Sequence, residues 1–246
     1  MDGSKHLHLL RPTPELWTRV LPHRTQILYM PDIAFILEML EVRGGSVVVE
    51  SGTGSASFSH SIARAVGLTG RLHTFDFHEA RAVQAEKEFA DHGLADIVTV
   101  QYRDVCNTGF GLESVADAGI LQCLVLVITR LIVFLDLPAP WLAIPWAKEA
   151  LRKDRVTRIA CFSPCMEQVQ RTIPELEENG FYEIEMYEIL LRPLEVDEIS
   201  VKRPNATSEA GIGAKRLFER DMVVAKHKSD IKGHTSYLYF ASYTPQ

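Results

Sequence analysis

The chain of 246 residues has only four cysteines, Cys106, Cys123, Cys161 and Cys165, with no C-x-x-C pair among them. That argues against a disulfide framework or a zinc ribbon and reads as reduced thiols in an intracellular protein. The start, Met1-Asp2-Gly3-Ser4-Lys5-His6, lacks the basic-then-apolar pattern of a secretory signal. The sequon Asn205-Ala206-Thr207 is therefore read as chance. Positive charge is also short: 26 Lys and Arg against 32 Asp and Glu give a net charge of -6, which argues against a simple basic nucleic-acid binder. The deficit is local. Residues 31–201 carry -12, whereas residues 1–30 carry +2 and residues 202–233 carry +4, an acidic body with basic flanks. No G-x-x-x-x-G-K-[ST] run occurs, so a P-loop is excluded. Apolar residues are not short, at 46%, enough for a full core.

Within that core material, Val47-Val48-Val49-Glu50-Ser51-Gly52-Thr53-Gly54-Ser55-Ala56-Ser57 stands out. Three β-branched residues end in an acid, a glycine turn follows, and Phe58 to Val66 reads as a helix. This is the pattern of a first strand, a nucleotide-binding loop and a helix N-terminus in an open α/β sheet. Further strands are expected at 71–76, 97–102, 156–163, 181–191 and 237–241, and helices at 33–40, 79–92, 139–151 and 166–179. Alternating strands and helices predict a doubly wound, Rossmann-like, mostly parallel sheet with ligands at its carboxyl edge. Residues 1–30 read as a separate N-terminal segment, 31–246 as the main domain, and 197–232 as a long polar loop.

Four acids, Glu50, Asp76, Asp104 and Asp136, fall at or just beyond predicted strand ends. Each alone could cap a helix; their recurrence on one rim favours a ligand. A dinucleotide fingerprint wants a third glycine where Ser57 stands, and Glu50 before the turn would repel a pyrophosphate. S-adenosylmethionine, with a sulfonium and an amino group and no phosphate, suits that acid better. Asp76 can accept ribose hydroxyls, which suits NAD as well, and Asp104 can accept from the adenine amine. The run Asp136-Leu137-Pro138-Ala139-Pro140-Trp141 joins an acid to a proline-stiffened loop with an aromatic, suited to gripping a planar base. Taken alone, that run is better explained as an ordinary turn with a helix-starting proline.

Taken together, several runs resemble one family, the catalytic subunit of the eukaryotic tRNA (adenine(58)-N(1))-methyltransferase, a class I methyltransferase. The resemblance spans about Leu10 to Ala241. It rests on Arg11-Pro12-Thr13-Pro14-Glu15-Leu16-Trp17-Thr18, Pro22-His23-Arg24-Thr25-Gln26-Ile27-Leu28-Tyr29, Glu50 to Ser55, His73-Thr74-Phe75-Asp76-Phe77-His78, Asp104-Val105-Cys106, Asp136 to Trp141, Phe162-Ser163-Pro164-Cys165 with Glu167-Gln168-Val169-Gln170, and Gly233-His234-Thr235. It implies methyl transfer from S-adenosylmethionine to N1 of an adenosine in the T-loop of tRNA. It also implies a class I sheet with an antiparallel final strand, a nuclear heterotetramer with a non-catalytic paralogue, and no membrane. By the same resemblance Gln26, Ile27 and Leu28 line the cofactor cleft. Glu50, Gly52, Gly54, Ser55, Ala56 and Ser57 surround the methionine end; Asp76, Phe77 and Arg81 surround ribose and adenine; Asp104 and Val105 contact adenine. Asp136 lies beside the cofactor as the catalytic acid at the target base.

Two features depart from that family. A β-rich domain normally precedes the Pro-Thr-Pro-Glu-Leu-Trp run, and here about ten residues do. Residues 119–132 read as an apolar insert at strand 4, of the kind an in-frame retained intron would leave, and an insert there is expected to push Asp136 out of place. The stretch from Gly119 to Leu137 approaches membrane-spanning length, but Gln122, Thr129 and Arg130 inside it argue against a span. An inactive isoform that only binds the partner subunit, and an NAD-binding oxidoreductase, are the competing readings.

Overall fold

Val47, Val48 and Val49 send successive side chains to opposite faces of a strand, and in this protein both faces are covered. A strand buried on both sides needs a continuous apolar run rather than an alternating one. The computed structural model describes residues 7–112, 131–151, 156–204, 217–228 and 234–244, with backbone alone at 202–204 and 217–220. It divides into two compact units, Met1–Ile189 with Ser236–Gln246, and Leu190–Thr235.

The first unit holds β1 (Val47–Ser51), β2 (Arg71–Asp76), β3 (Val98–Tyr102), β4 (Leu131–Asp136), β5 (Thr157–Ser163), β6 (Tyr182–Tyr187) and β9 (Tyr237–Tyr243); the second holds β7 (Leu194–Pro204) and β8 (Leu217–His227). The large sheet has the order β3-β2-β1-β4-β5-β9-β6. Strands β1 to β5 run parallel, and β9 is antiparallel to both β5 and β6. The helices are α1 (Pro14–Val20), α2 (Met30–Met39), α3 (Ser57–Val66), α4 (Glu79–Asp91), α5 (Val105–Thr108), α6 (Ile144–Ala150) and α7 (Met166–Glu178), with a 3-10 turn at Pro140–Ala143. Proline occupies the first turn of α1, α2, the 3-10 turn and α6, where no intrahelical N–H bond is lost.

On one face Ile33 and Ile36 of α2, Ile62 of α3 and Phe89 of α4 pack over Val48, Leu72, Ile132 and Phe134. On the other, Ile144 and Ala147 of α6 and Val169 and Leu176 of α7 pack over Val49, Phe75, Val133 and Ile159. This doubly wound arrangement is the one expected, including the antiparallel last strand.

Some expected elements shift, the strand at 181–191 ending at Tyr187 and the helix at 139–151 dividing into the 3-10 turn and α6, and three segments differ more deeply from the sequence expectation. Residues 7–29 belong to the main unit: α1 packs on α3, Leu28 lies in the core, and Thr18 shares a hydrogen bond with Ser57 at 2.9 Å. The expected insert overlaps β4, because Leu131 and Ile132 pair with Val47 and Val48; residues 119–130 lie outside the described residues. That register carries Asp136 to the carboxyl end of β4, beside β1, so the acid is not displaced. The stretch 197–232, expected to be a polar loop, contains most of an antiparallel hairpin in register from Leu194 opposite His227 to Pro204 opposite Leu217. Its polarity hid the β-branched content of Val196, Ile199, Val223 and Val224, and its charges pair across the strands, Lys226 to Asp197 at 2.5 Å and Lys228 to Glu195 at 3.2 Å. Among the described residues, no helix is long and apolar enough to cross a membrane.

Phe134, at the centre of the sheet, meets the Phe58 ring edge-on at 4.6 Å and is 1% exposed. Phe134→Ala is expected to lower the free energy of urea unfolding by about 3–5 kcal/mol.

Candidate active site

The strand order reverses between β1 and β4, which opens a crevice at their carboxyl ends. The chain leaves β1 through Gly52, whose φ is +101°; a Cβ there would sit 2.1 Å from the backbone oxygen of Asp136. Only glycine lets the first turn pass this close to the end of β4. Gly54 has φ +51°, and a Cβ would sit 2.6 Å from Thr25 Oγ1. Ala56, at φ 60°, holds a left-handed conformation unusual for alanine and starts α3. His60 answers that strain: its Nδ1 lies 2.6 Å from the Ala56 carbonyl, and its Nε2 lies 2.9 Å from His92 Nδ1. Burial pushes His60 below its ordinary range, which keeps it neutral, with Nδ1–H donating to Ala56.

The expected acids have different surroundings. Glu50 is buried and accepts from Ser59 Oγ at 2.6 Å; burial, reinforced by Asp136 and Asp76, pushes it up to about 7 against the help of Ser59 and Thr74. Asp136 reaches the surface in part, yet its carboxyl is densely surrounded, and desolvation pushes it to about 7 as well. Asp76 accepts four hydrogen bonds: Oδ1 accepts from His78 N at 2.8 Å and from Arg81 Nε and Nη2 at 3.1 and 2.9 Å, while Oδ2 accepts from Gly54 N alone at 3.0 Å. Arg81 also lies over the exposed Phe77 ring, 5.1 Å from its centroid. Asp104 is exposed and caps α5, accepting from Cys106 N at 3.1 Å and Asn107 Nδ2 at 2.7 Å, and Val105 behind it is buried.

Glu50, Asp76 and Asp136 thus come together about the glycine loop, and Asp104 stands at the end of β3 with its carboxyl occupied. Ser57, in the place of a third glycine, turns inward: it donates to the Leu28 carbonyl at 3.1 Å and pairs with Thr18. Ser55 accepts from two backbone amides, Arg24 at 2.8 Å and Thr25 at 3.1 Å. These bonds lay the strap of residues 24–28 against the loop; Ile27 and Leu28 are buried and Gln26 is exposed.

Sequence reasoning missed Arg24 and Glu88. Arg24 Nη1 and Nη2 grip Glu88 at 2.6 and 3.1 Å, and its Nε donates to the Gly54 carbonyl at 3.3 Å. The one available signal was Arg24 within the Pro22-to-Tyr29 run; Glu88 is one of many charges on α4. Beyond Asp136, the Pro138 carbonyl accepts from Gln168 Nε2 at 2.9 Å, and Trp146 Nε1 donates to the Cys106 carbonyl at 3.2 Å.

Two outcomes follow from this geometry. Gly67, also at positive φ, has open space for 4 Å around the position a Cβ would take, so Gly67→Ala bears backbone strain alone. Gly52→Ala adds the collision with Asp136 and is expected to lower unfolding free energy by at least about 1 kcal/mol more than Gly67→Ala, read by urea titration; equal losses contradict the close approach. A carboxyl raised in the folded state binds protons more tightly there than in the unfolded chain, so its contribution falls as pH rises from about 4.5 through about 7. Glu50→Gln is therefore expected to gain stability relative to the unsubstituted protein between pH 5 and 8. The lowered His60 and His73 act in the opposite direction but cancel in that difference.

The family pattern described as "tRNA methyltransferase complex GCD14 subunit" matches residues 5–211. The tRNA (adenine(58)-N(1))-methyltransferase catalytic subunit of Candida albicans is 40% identical over 290 aligned positions, covering 100% of this chain and 83% of its own length. The protein of the same name from Cryptococcus neoformans is 47% identical over 216, covering 88% and 46%. Among solved structures, a SAM-dependent O-methyltransferase from Thermotoga maritima is 29% identical with a TM-score of 0.65, over 91% of this chain and 68% of that one. The tRNA (m1A58) methyltransferase TrmI from Aquifex aeolicus shares the fold at 20% identity and a TM-score of 0.64, over 94% and 76%. With its glycine loop, its carboxylate rim and this extent of sequence identity, the chain belongs to the family of tRNA methyltransferase complex GCD14 subunits.

Proposed function

We propose that the chain is the catalytic subunit of a tRNA methyltransferase, acting on N1 of adenosine 58 with S-adenosylmethionine as donor. One observation carries this reading: two carboxyls, Glu50 and Asp136, flank the Gly52 turn at the reversal of strand order, and burial pushes both up to about 7. A diphosphate there would face two acids, and the nearby Arg24 is already committed to Glu88. A ligand bearing positive charge and no phosphate relieves both carboxyls at once.

When bound, the cofactor supplies an electrophilic methyl group. Glu50, Gly52, Gly54, Ser55 and Ala56 would hold its methionine end, with Gln26, Ile27 and Leu28 in the strap beside them. Asp76, Phe77, Arg81, Asp104 and Val105 would hold the nucleoside end. Three donors already meet Asp76 Oδ1 and one meets Oδ2, which leaves Oδ2 room for a hydroxyl. Adenine N1 offers an in-plane lone pair, so no proton has to leave before attack. The methylated ring is cationic, and Asp136, ionised as positive charge develops beside it, stabilises that charge and orients the exocyclic amine.

The proposal includes a non-catalytic paralogous subunit, which would bring basic surface to a chain of net charge -6, and a heterotetramer located in the nucleus. The test is methylation of a tRNA transcript by the full chain co-expressed with that subunit, with the modified base mapped. Asp136→Ala is expected to lower turnover at least 100-fold while S-adenosylmethionine still binds through Glu50 and the loop, weakened by about tenfold in calorimetry. Near-normal turnover in that variant, or tight binding of NAD in place of S-adenosylmethionine, would overturn the reading.

A further inference from the structure

The rim around the crevice is acidic, and the substrate proposed for it is a polyanion. Among the described residues of that rim, Arg171 stands apart. It lies on the exposed side of α7, and its guanidinium sits over the ring of Trp141, 5.2 Å from the centroid. Arg24, Arg81 and Arg103, the other arginines near the crevice, are spent on the protein itself: on Glu88, on Asp76, and on the carbonyls of Thr108 and Gly109. Arg171 has no carboxylate partner among the described residues.

Its place is fixed relative to the catalytic loop. Trp141 lies five positions after Asp136, in the 3-10 turn against which α7 packs. Gln168, one helical turn before Arg171, donates to the carbonyl of Pro138, tying α7 to the same loop. Leu142 beside Trp141 is 50% exposed, so an open apolar surface adjoins the cation. A guanidinium attracted to the face of an indole still has N–H donors to offer, and their fork matches two oxygens of a phosphate.

We propose that the Arg171–Trp141 pair is a docking point for the RNA, Arg171 receiving a backbone phosphate next to the target nucleoside and Trp141 holding the guanidinium in place. This rests on the reading that the chain acts on tRNA. The pair gives a polyanion a positive foothold beside carboxyls that would otherwise repel it, and it orients the strand toward Asp136.

The test is binding of a fluorescein-labelled tRNA transcript to the full chain with its proposed partner subunit, by anisotropy over a range of salt concentrations. Calorimetry with S-adenosylmethionine runs in parallel and reports an intact fold. Arg171→Ala is expected to weaken tRNA binding about tenfold and to reduce the slope of log affinity against log salt by about 1. Cofactor affinity stays within twofold. Arg171→Lys keeps the charge without the planar fork, so it restores the slope and only part of the affinity. The proposal is overturned by Arg171→Ala binding tRNA with unchanged affinity and slope, by a parallel loss of cofactor affinity, or by a parent protein that binds no tRNA. A parent protein that binds tRNA and methylates a different base, or none, overturns the functional reading alone, and the Arg171 result still decides the docking point.

Discussion

The backbone of Gly52 passes so near the end of β4 that not even a methyl group fits between them. This contact fixes the distance between two parallel strands where they would otherwise splay into loops, and it sets Glu50 and Asp136 on either side of one turn. Burial of the acids at that junction raises both of them, and the strap is laid beside it by the Ser55 hydrogen bonds. With both acids raised to about 7, a neighbouring positive charge would favour their ionised forms. The two flanking helical layers, α3 on one face and α6 with α7 on the other, hold the strands so that the approach persists.

Much of this was legible in the chain. Runs such as Val47-Val48-Val49 and Tyr237 to Ala241 announce strands buried on both faces, and the boundaries of β2 and α4 follow from local periodicity. The acids of the rim are legible because strand ends are. What escaped was of two kinds. Arg24 and Glu88 are 64 positions apart and His60 and His92 are 32 apart, and no local pattern reports a partner at that distance. The β7–β8 hairpin was hidden because its residues pair with each other across a charged surface, so polarity outweighed β-branched content.

The roles of Asp104 and Ser57 show how a residue type underdetermines its use. Asp104 stands at the expected strand end, but its carboxyl caps α5. An acid after a parallel strand can serve a ligand, a helix, or both in turn, and the choice depends on which donors lie within reach. Ser57 replaces a glycine whose usual purpose is close helix–strand packing, and the space its side chain occupies is filled with hydrogen bonds to Thr18 and Leu28.

That replacement reaches beyond the loop. Through Ser55, Ser57 and Arg24, the glycine loop is joined to α1, to the strap and to α4, segments far apart in the chain. The loop's own amides look the other way, Gly52 and Thr53 donating to the Phe75 carbonyl and Gly54 to Asp76, so it is the side chains of Ser55 and Ser57 that hold the N-terminal segment. A substitution at Thr18 or Arg24 therefore acts on the glycine loop from 30 to 39 positions away, because the side chains that shape the loop's outer wall belong to the N-terminal segment.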